Sequence, residues 1–162
     1  MSNSEKSIDV VIDEPAGYRL RPARRGDEGA VQHLIGGILR AYRMELSPTE
    51  TDRDLADLES YYAHAGAWFD VLIERETGRI IGTVAIEPHS PGNCELRKMY
   101  LDPAHRRRGL GKYMLMHAVH RARALGHTCM LAGTTAALKE AIALYQRYGF
   151  ELVDGPRLAD RA

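Results

Sequence analysis

A single α/β domain, in which helices flank a mixed sheet, is the fold class that the sequence predicts, and three observations predict it. Helical and strand periodicities alternate along the chain instead of segregating. Two β-rich runs are joined by a short turn, which calls for antiparallel pairing early. A strand, helix, strand series follows, which calls for a parallel crossover late. The length of 162 residues suits one domain. A chain of that size buries roughly 70% of the surface its unfolded form exposes.

Residues 1–16 read as a flexible arm ending in Glu14-Pro15-Ala16, and residues 17–162 read as the domain. Tyr18, Leu20 and Pro22 alternate with Arg19 and Arg21 as an opening strand does. Asp27 stands where a helix cap belongs. After it Val31, Leu34, Ile35, Ile38, Leu39 and Tyr42 recur at three- and four-residue steps, which predicts a helix reaching about Leu46. Ser47-Pro48-Thr49-Glu50 predicts the start of a second helix that stops by Gly66. Trp68 to Arg75 and Arg79 to Glu87 are strands joined by Glu76-Thr77-Gly78, and Cys94 to Leu101 is a third. Leu110, Met114, Leu115, Ala118, Ala122 and Leu125 share one helical face, which Gly126 closes. Thr128 to Ala132 is a short buried strand, Ala137 to Tyr148 a last helix, and Phe150 to Val153 the start of another strand.

Composition narrows the function classes. Hydrophobic residues at 44% and charged residues at 27% are those of a folded globular domain. Lys plus Arg total 22 and Asp plus Glu total 22, so no global field holds the chain on nucleic acid or on an anionic membrane. Cys94 and Cys129 form no Cys-x-x-Cys pair, which leaves a disulfide framework and a structural zinc site without support. No apolar run approaches the ~18 residues of a membrane span, and acidic residues interrupt the short run Val10-Val11-Ile12. A reducing cytoplasm is the expected location.

The chemistry concentrates in Leu101-Asp102-Pro103-Ala104-His105-Arg106-Arg107-Arg108-Gly109-Leu110-Gly111-Lys112, between a strand and an amphipathic helix. A helix start leaves backbone N–H groups without internal partners, its dipole places partial positive charge there, and glycines admit an oxygen-rich ligand close to the backbone. Four cations within seven residues add to the field. A P-loop needs Gly where Arg106 stands and Ser or Thr where Tyr113 stands, and a dinucleotide fingerprint needs Gly where Met114 stands. Both fail.

Arg106-x-x-Gly109-x-Gly111 at this junction resembles the pyrophosphate signature of the GCN5-related N-acetyltransferase (GNAT) family. Cys94-Glu95-Leu96-Arg97-Lys98-Met99-Tyr100-Leu101 looks like that family's central strand, and Ala141-Ile142-Ala143-Leu144-Tyr145-Gln146-Arg147-Tyr148-Gly149-Phe150 is similar to its second block. The strong resemblance covers roughly Ile80 to Phe150. It implies a twisted mixed sheet whose two central parallel strands splay beside a bulge, with the pantetheine arm of acetyl-CoA, the cosubstrate, in the gap against Met99, Tyr100 and Leu101. Arg106, Arg107, Arg108, Gly109, Leu110, Gly111 and Lys112 are then expected around the pyrophosphate.

The resemblance further implies catalytic roles. Glu95 matches a position where many members place a base, its other reading being a structural carboxylate paired with Arg97 or Lys98. Tyr145 matches the tyrosine that approaches the sulfur, its other reading being a core aromatic. Attack of an amine on a thioester needs both a proton acceptor for the amine and an acid for the departing sulfur. Leu138 replaces an Asn common in the family. Only twelve residues follow Phe150, so the acceptor wall is expected to be short or to be completed by a second copy in a homodimer. His89 and His105 read as solvent-exposed loop residues.

The expected function is transfer of acetyl from acetyl-CoA to a primary amine, small molecule or peptide, in a ternary complex without metal. The rivals are a non-catalytic acyl-CoA sensor and a nucleic-acid binder using Arg106 to Arg108, the second opposed by the zero net charge. Glu45, Glu50, Asp52, Asp54, Asp57 and Glu59 against Arg53 suggest steering of a cationic acceptor.

Overall fold

The computed structural model describes residues 2–4, 13–133 and 139–151. Among the described residues six strands form one sheet: β1 (Ser2–Ser4), β2 (Tyr18–Pro22), β3 (Trp68–Glu74), β4 (Ile80–Ser90), β5 (Asn93–Leu101) and β6 (Cys129–Ala132), in the spatial order β1-β6-β5-β4-β3-β2. β2 to β5 run as an antiparallel meander, and β6 lies parallel to β5. β1 was not foreseen within the arm. Its backbone pairs antiparallel with β6, Ser2 opposite Leu131 and Ser4 opposite Cys129, which covers the outer edge of β6. The expected continuation of Phe150 into a strand, and the position of Leu138, lie outside the described residues except for Glu151, which forms a single bridge.

α1 (Glu28–Ala41) and the short α2 (Leu58–Tyr61) cover one face of the sheet, while α3 (Leu110–Ala124) and α4 (Lys139–Arg147) belong to the other. Strand alternation divides the core accordingly. Phe69, Val71 and Ile73 pack with Val31, Ile35 and Leu39, whereas Leu72, Val84, Cys94 and Leu96 pack with Leu110, Met114 and Leu115.

α1 ends five residues before the expected Leu46. Arg43 adopts φ 58°, Arg43 and Met44 donate to the carbonyls of Arg40 and Leu39, and the chain folds back so that Leu46 sits over Gly36. Any side chain at Gly36 would meet Leu46 at 3.3 Å. Asp27 takes the N-cap position of α1, as expected, but its carboxylate makes no cap bond; it takes two bonds from Arg21, at 2.7 and 2.9 Å, and one from the Arg24 N–H at 2.9 Å.

The helix expected from Ser47 to Gly66 is broken into a turn, a 3-10 segment (Arg53–Ala56) and α2. Its acids are drawn elsewhere. Asp52 and Asp54 face Lys98, and Asp57 is extended, at φ −150°, to cap the Ser60 N–H. Leu55 and Leu58 are buried as expected.

Candidate active site

The loop after β5 presents backbone donors and open space at the start of α3. The Asp102 carboxylate accepts from the Ala104 N–H at 2.9 Å and opens a tight turn through Pro103. Arg107 and Gly109 then take φ of 63° and 76°, reversing the chain into α3. The first bond inside α3 runs from the Tyr113 N–H to the Gly109 carbonyl, so the N–H groups of Leu110, Gly111 and Lys112 have no partner within the helix. A Cβ added at Gly109 would meet nothing within 4 Å, which is the open approach that an oxygen-rich ligand requires.

Behind the loop β5 outruns its pairing with β6. β5 and β6 pair from Asn93 with Cys129 to Leu96 with Ala132, where β6 ends, while β5 runs on to Leu101. At the same level the register of β4 against β5 shifts, Thr83 lying opposite Tyr100 and Ala85 opposite Arg97, with Lys98 at φ 49° in the resulting bulge. A cavity of about 340 Å³ lies beside the last residues of β5. Its walls include Met99, Tyr100 and Leu101 of β5, Arg106, Arg107 and the residues from Gly109 to Lys112, Ala141, Leu144 and Tyr145 of α4, Ile38 of α1, and Tyr42 just past its end. Gly111 lets α3 approach Leu144, which a Cβ would meet at 3.3 Å. Apolar walls with cations at one end suit a chain of methylenes and amides that ends in a pyrophosphate.

Nine of the ten residues expected around acetyl-CoA line this cavity. Arg108 does not: its guanidinium donates to the Tyr18 hydroxyl at 2.8 Å, so it braces the loop against β2. Tyr145 lines the cavity and is 5% exposed. Burial, with Tyr100 nearby, pushes its hydroxyl well above the usual tyrosine range. Tyr100 is raised to about 12 by burial and by Asp52 and Asp54, against the opposing charge of Arg97.

Glu95 lies outside the cavity lining. It is half-buried on β5, opposite Glu87 of β4 and Leu131 of β6, one residue before the last β5–β6 pair. Arg97, on the same face, is ion-paired with Glu87, whose carboxylate also accepts from the Tyr61 hydroxyl at 3.2 Å. Lys98 likewise is committed to Asp52.

His105 is buried, contrary to the expectation for its loop, because the Tyr18 hydroxyl lies 2.8 Å from its Nδ1 and Glu74 3.5 Å from its Nε2. His89 stands half-buried on β4. The acidic cluster is largely spent on structure: besides Asp52, Asp54 and Asp57, Glu59 accepts from the Arg25 N–H at 2.9 Å. Among the described residues no three His, Cys, Asp or Glu side chains converge to hold a metal ion, and no helix is long and apolar enough to cross a membrane.

Sequence reasoning missed the contribution of α1. Tyr42, at its end, donates to Glu140 of α4 at 2.6 Å, and no local pattern marks a partner 98 residues away.

The family model described as Acetyltransferase (GNAT) family matches residues 35–150. The N-acetyltransferase YjgM of Escherichia coli K12 is 36% identical over 133 residues, 79% of this chain and 78% of that one. The N-acetylaspartate synthetase of Danio rerio is 32% identical over 102 residues, which is 62% of this chain and 36% of that longer protein. An acetyltransferase from Salmonella typhimurium, yncA, solved with acetyl-CoA, superposes with a TM-score of 0.69 at 23% identity, covering 85% of this chain and 82% of that one. With the family's sequence matched across the cleft and its fold reproduced around it, this chain belongs to the GNAT acetyltransferase family and is an N-acetyltransferase with acetyl-CoA as its donor.

Proposed function

We propose that acetyl-CoA lies in the cleft between β5 and α4, and that its acetyl group passes directly to a primary amine, small molecule or peptide, within a ternary complex. One observation carries this reading: β5 runs five residues beyond its last pair with β6, beside an apolar cavity that has an anion-seeking helix start at one end and a buried tyrosine in its wall.

The thioester supplies an activated acetyl carbon. The backbone N–H groups of Leu110, Gly111 and Lys112, with Arg106 and Arg107, hold the pyrophosphate, and the β5 backbone from Met99 to Leu101, left without a β6 partner, hydrogen-bonds the amides of the arm. Glu95, one residue before the last β5–β6 pair, takes the amine's proton through water. Tyr145 gives its hydroxyl proton to the departing sulfur, and burial keeps that proton in place at working pH. Arg108 supports the loop through Tyr18 and does not touch the ligand.

The test is a panel of amines assayed for thiol release from acetyl-CoA, followed by an initial-rate matrix on the best amine. Intersecting double-reciprocal lines are expected for a ternary complex, and parallel lines would exclude one. Binding of acetyl-CoA with no thiol release across the panel would favour the sensor reading instead.

A further inference from the structure

Lys98 sits at the junction between the cleft and the loop above it. Its backbone is in the left-handed region, at φ 49°, where a residue with a side chain persists only if its surroundings hold it. They do so from two sides. The Thr83 hydroxyl donates to the Lys98 carbonyl at 2.6 Å, fixing the bulge. The Lys98 ammonium, with only 7% of its side chain exposed, donates to the Thr51 carbonyl at 3.0 Å and is ion-paired with Asp52 and, at 3.5 Å, with Asp54.

Those partners organise the loop in turn. Asp52 accepts from the Ser47 N–H at 2.8 Å, and Asp54 accepts from the buried Tyr62 hydroxyl at 2.6 Å. The segment Ser47–Asp54 is therefore tied to β5 chiefly through the Lys98 ammonium, with Arg97 as a second tie. It also covers the face of β5 that carries Glu95, because the Thr51 carbonyl accepts from Arg97, two residues along on that face, at 3.3 Å. On the other side of Lys98, the next three residues of β5 line the cleft.

We propose that Lys98 is a positioning residue that couples the acetyl-CoA cleft to the Ser47–Asp54 loop, so that filling the cleft tightens the loop over Glu95 and raises the affinity for the amine. The proposal rests on the reading that acetyl-CoA occupies the Met99–Lys112 cleft. The route is a bulge that has to settle around the bound arm, a buried ammonium held by the Thr51 carbonyl and ion-paired with Asp52 and Asp54, and a loop whose acid Asp52 answers to that ammonium. Coupling of this kind is reciprocal, so amine binding strengthens the hold on acetyl-CoA by the same factor, typically about 5- to 150-fold.

Hydrogen exchange on the full chain, with CoA as the probe, separates the possibilities. In the wild type, CoA is expected to slow exchange both at residues 104–112 and at residues 47–57. In Lys98→Met, protection of 104–112 is expected to remain while 47–57 no longer responds. Asp52→Asn, which leaves the bulge and Lys98 in place, should behave the same way and serves if Lys98→Met does not fold. With an amine that the wild type acetylates, the amine KM at saturating acetyl-CoA and the acetyl-CoA KM at saturating amine should both rise about tenfold in these variants, while the Kd of CoA without amine stays within about twofold. Equal loop protection in wild type and variants, or no loop response in a wild type whose residues 104–112 are protected, would overturn the coupling. Absence of protection at 104–112 in the wild type would instead overturn the cleft assignment, and the coupling with it.

Discussion

The Tyr42 hydroxyl donates to the Glu140 carboxylate at 2.6 Å, joining the residue that closes α1 to the first turn of α4. Both residues border the cleft, as does Arg106. The bond holds the Glu140 carboxyl below its usual range, and the Arg106 charge adds to the effect, so the clasp is formed at neutral pH. Tyr42→Phe should loosen this strap and raise both the association and the dissociation rate of CoA. Stopped-flow binding of a fluorescent CoA analogue reads both. Unchanged rates would mean that the ligand enters elsewhere along the cleft.

Gly109 offers a cleaner test of where the pyrophosphate lies. At φ 76° any residue with a Cβ is strained, by about 1–2 kcal/mol, but the space around it is open. Gly109→Ala should therefore lose some stability yet keep most of the rise in Tm that CoA gives by binding the native state. Gly109→Asp adds negative charge where phosphate oxygens belong and should abolish that rise. Thermal melts with and without CoA compare the two, and an intact shift in Gly109→Asp would place the pyrophosphate away from α3.

Asp27 gives stability a defined acid limb. Burial pushes its carboxyl up, but the Arg21 hydrogen bonds and the Arg24 N–H outweigh burial, so the folded value lies below the ordinary ~3.9. A carboxyl depressed on folding stabilises at pH above its unfolded value, and the contribution is lost as pH falls through the folded one. Asp27→Asn should cost about 1–2 kcal/mol at pH 7. Urea melts at pH 7, 4 and 3 should show the gap between wild type and variant closing below about pH 4.

The features that were legible in the sequence are those whose cause is local. Alternation in β3 to β5, the apolar faces of α1 and α3, and the glycines of the anion loop each state a requirement within a few residues of the chain. The helix expected from Ser47 failed because Asp52 and Asp54 answer to Lys98, 46 residues from Asp52, rather than to their own segment. His105 is buried for a similar reason, its partner Tyr18 lying 87 residues away. β1 was invisible because Ser2–Ser4 has no apolar alternation and is placed by a backbone ladder to β6. In the cleft, β5, the loop and α4 were legible from their blocks, whereas Ile38 and Tyr42 read only as part of a helix stripe.

The division of labour between Glu95 and Tyr145 makes the last prediction. If Glu95 takes the proton from the amine, Glu95→Gln should lower kcat by about 10²- to 10⁴-fold where chemistry limits turnover, while CoA affinity, set in a cleft that Glu95 does not line, stays unchanged. The rise of rate with pH should flatten in the same variant. Tyr145→Phe keeps the ring against Phe150, 5.5 Å away, and removes only the hydroxyl, so it should lower kcat with little loss of stability, whereas Tyr145→Ala would confuse folding with chemistry by opening a cavity. Because burial raises the Tyr145 hydroxyl, it remains an acid beyond the pH where an exposed tyrosine ionises, and the wild-type profile should show no alkaline fall near pH 10. A fall there that disappears in Tyr145→Phe would mean that the hydroxyl ionises like an exposed one and that the cleft is wetter during turnover than its burial implies. If Glu95→Gln instead keeps wild-type kcat and pH dependence, the amine arrives already deprotonated, and Tyr145 alone carries the proton transfer.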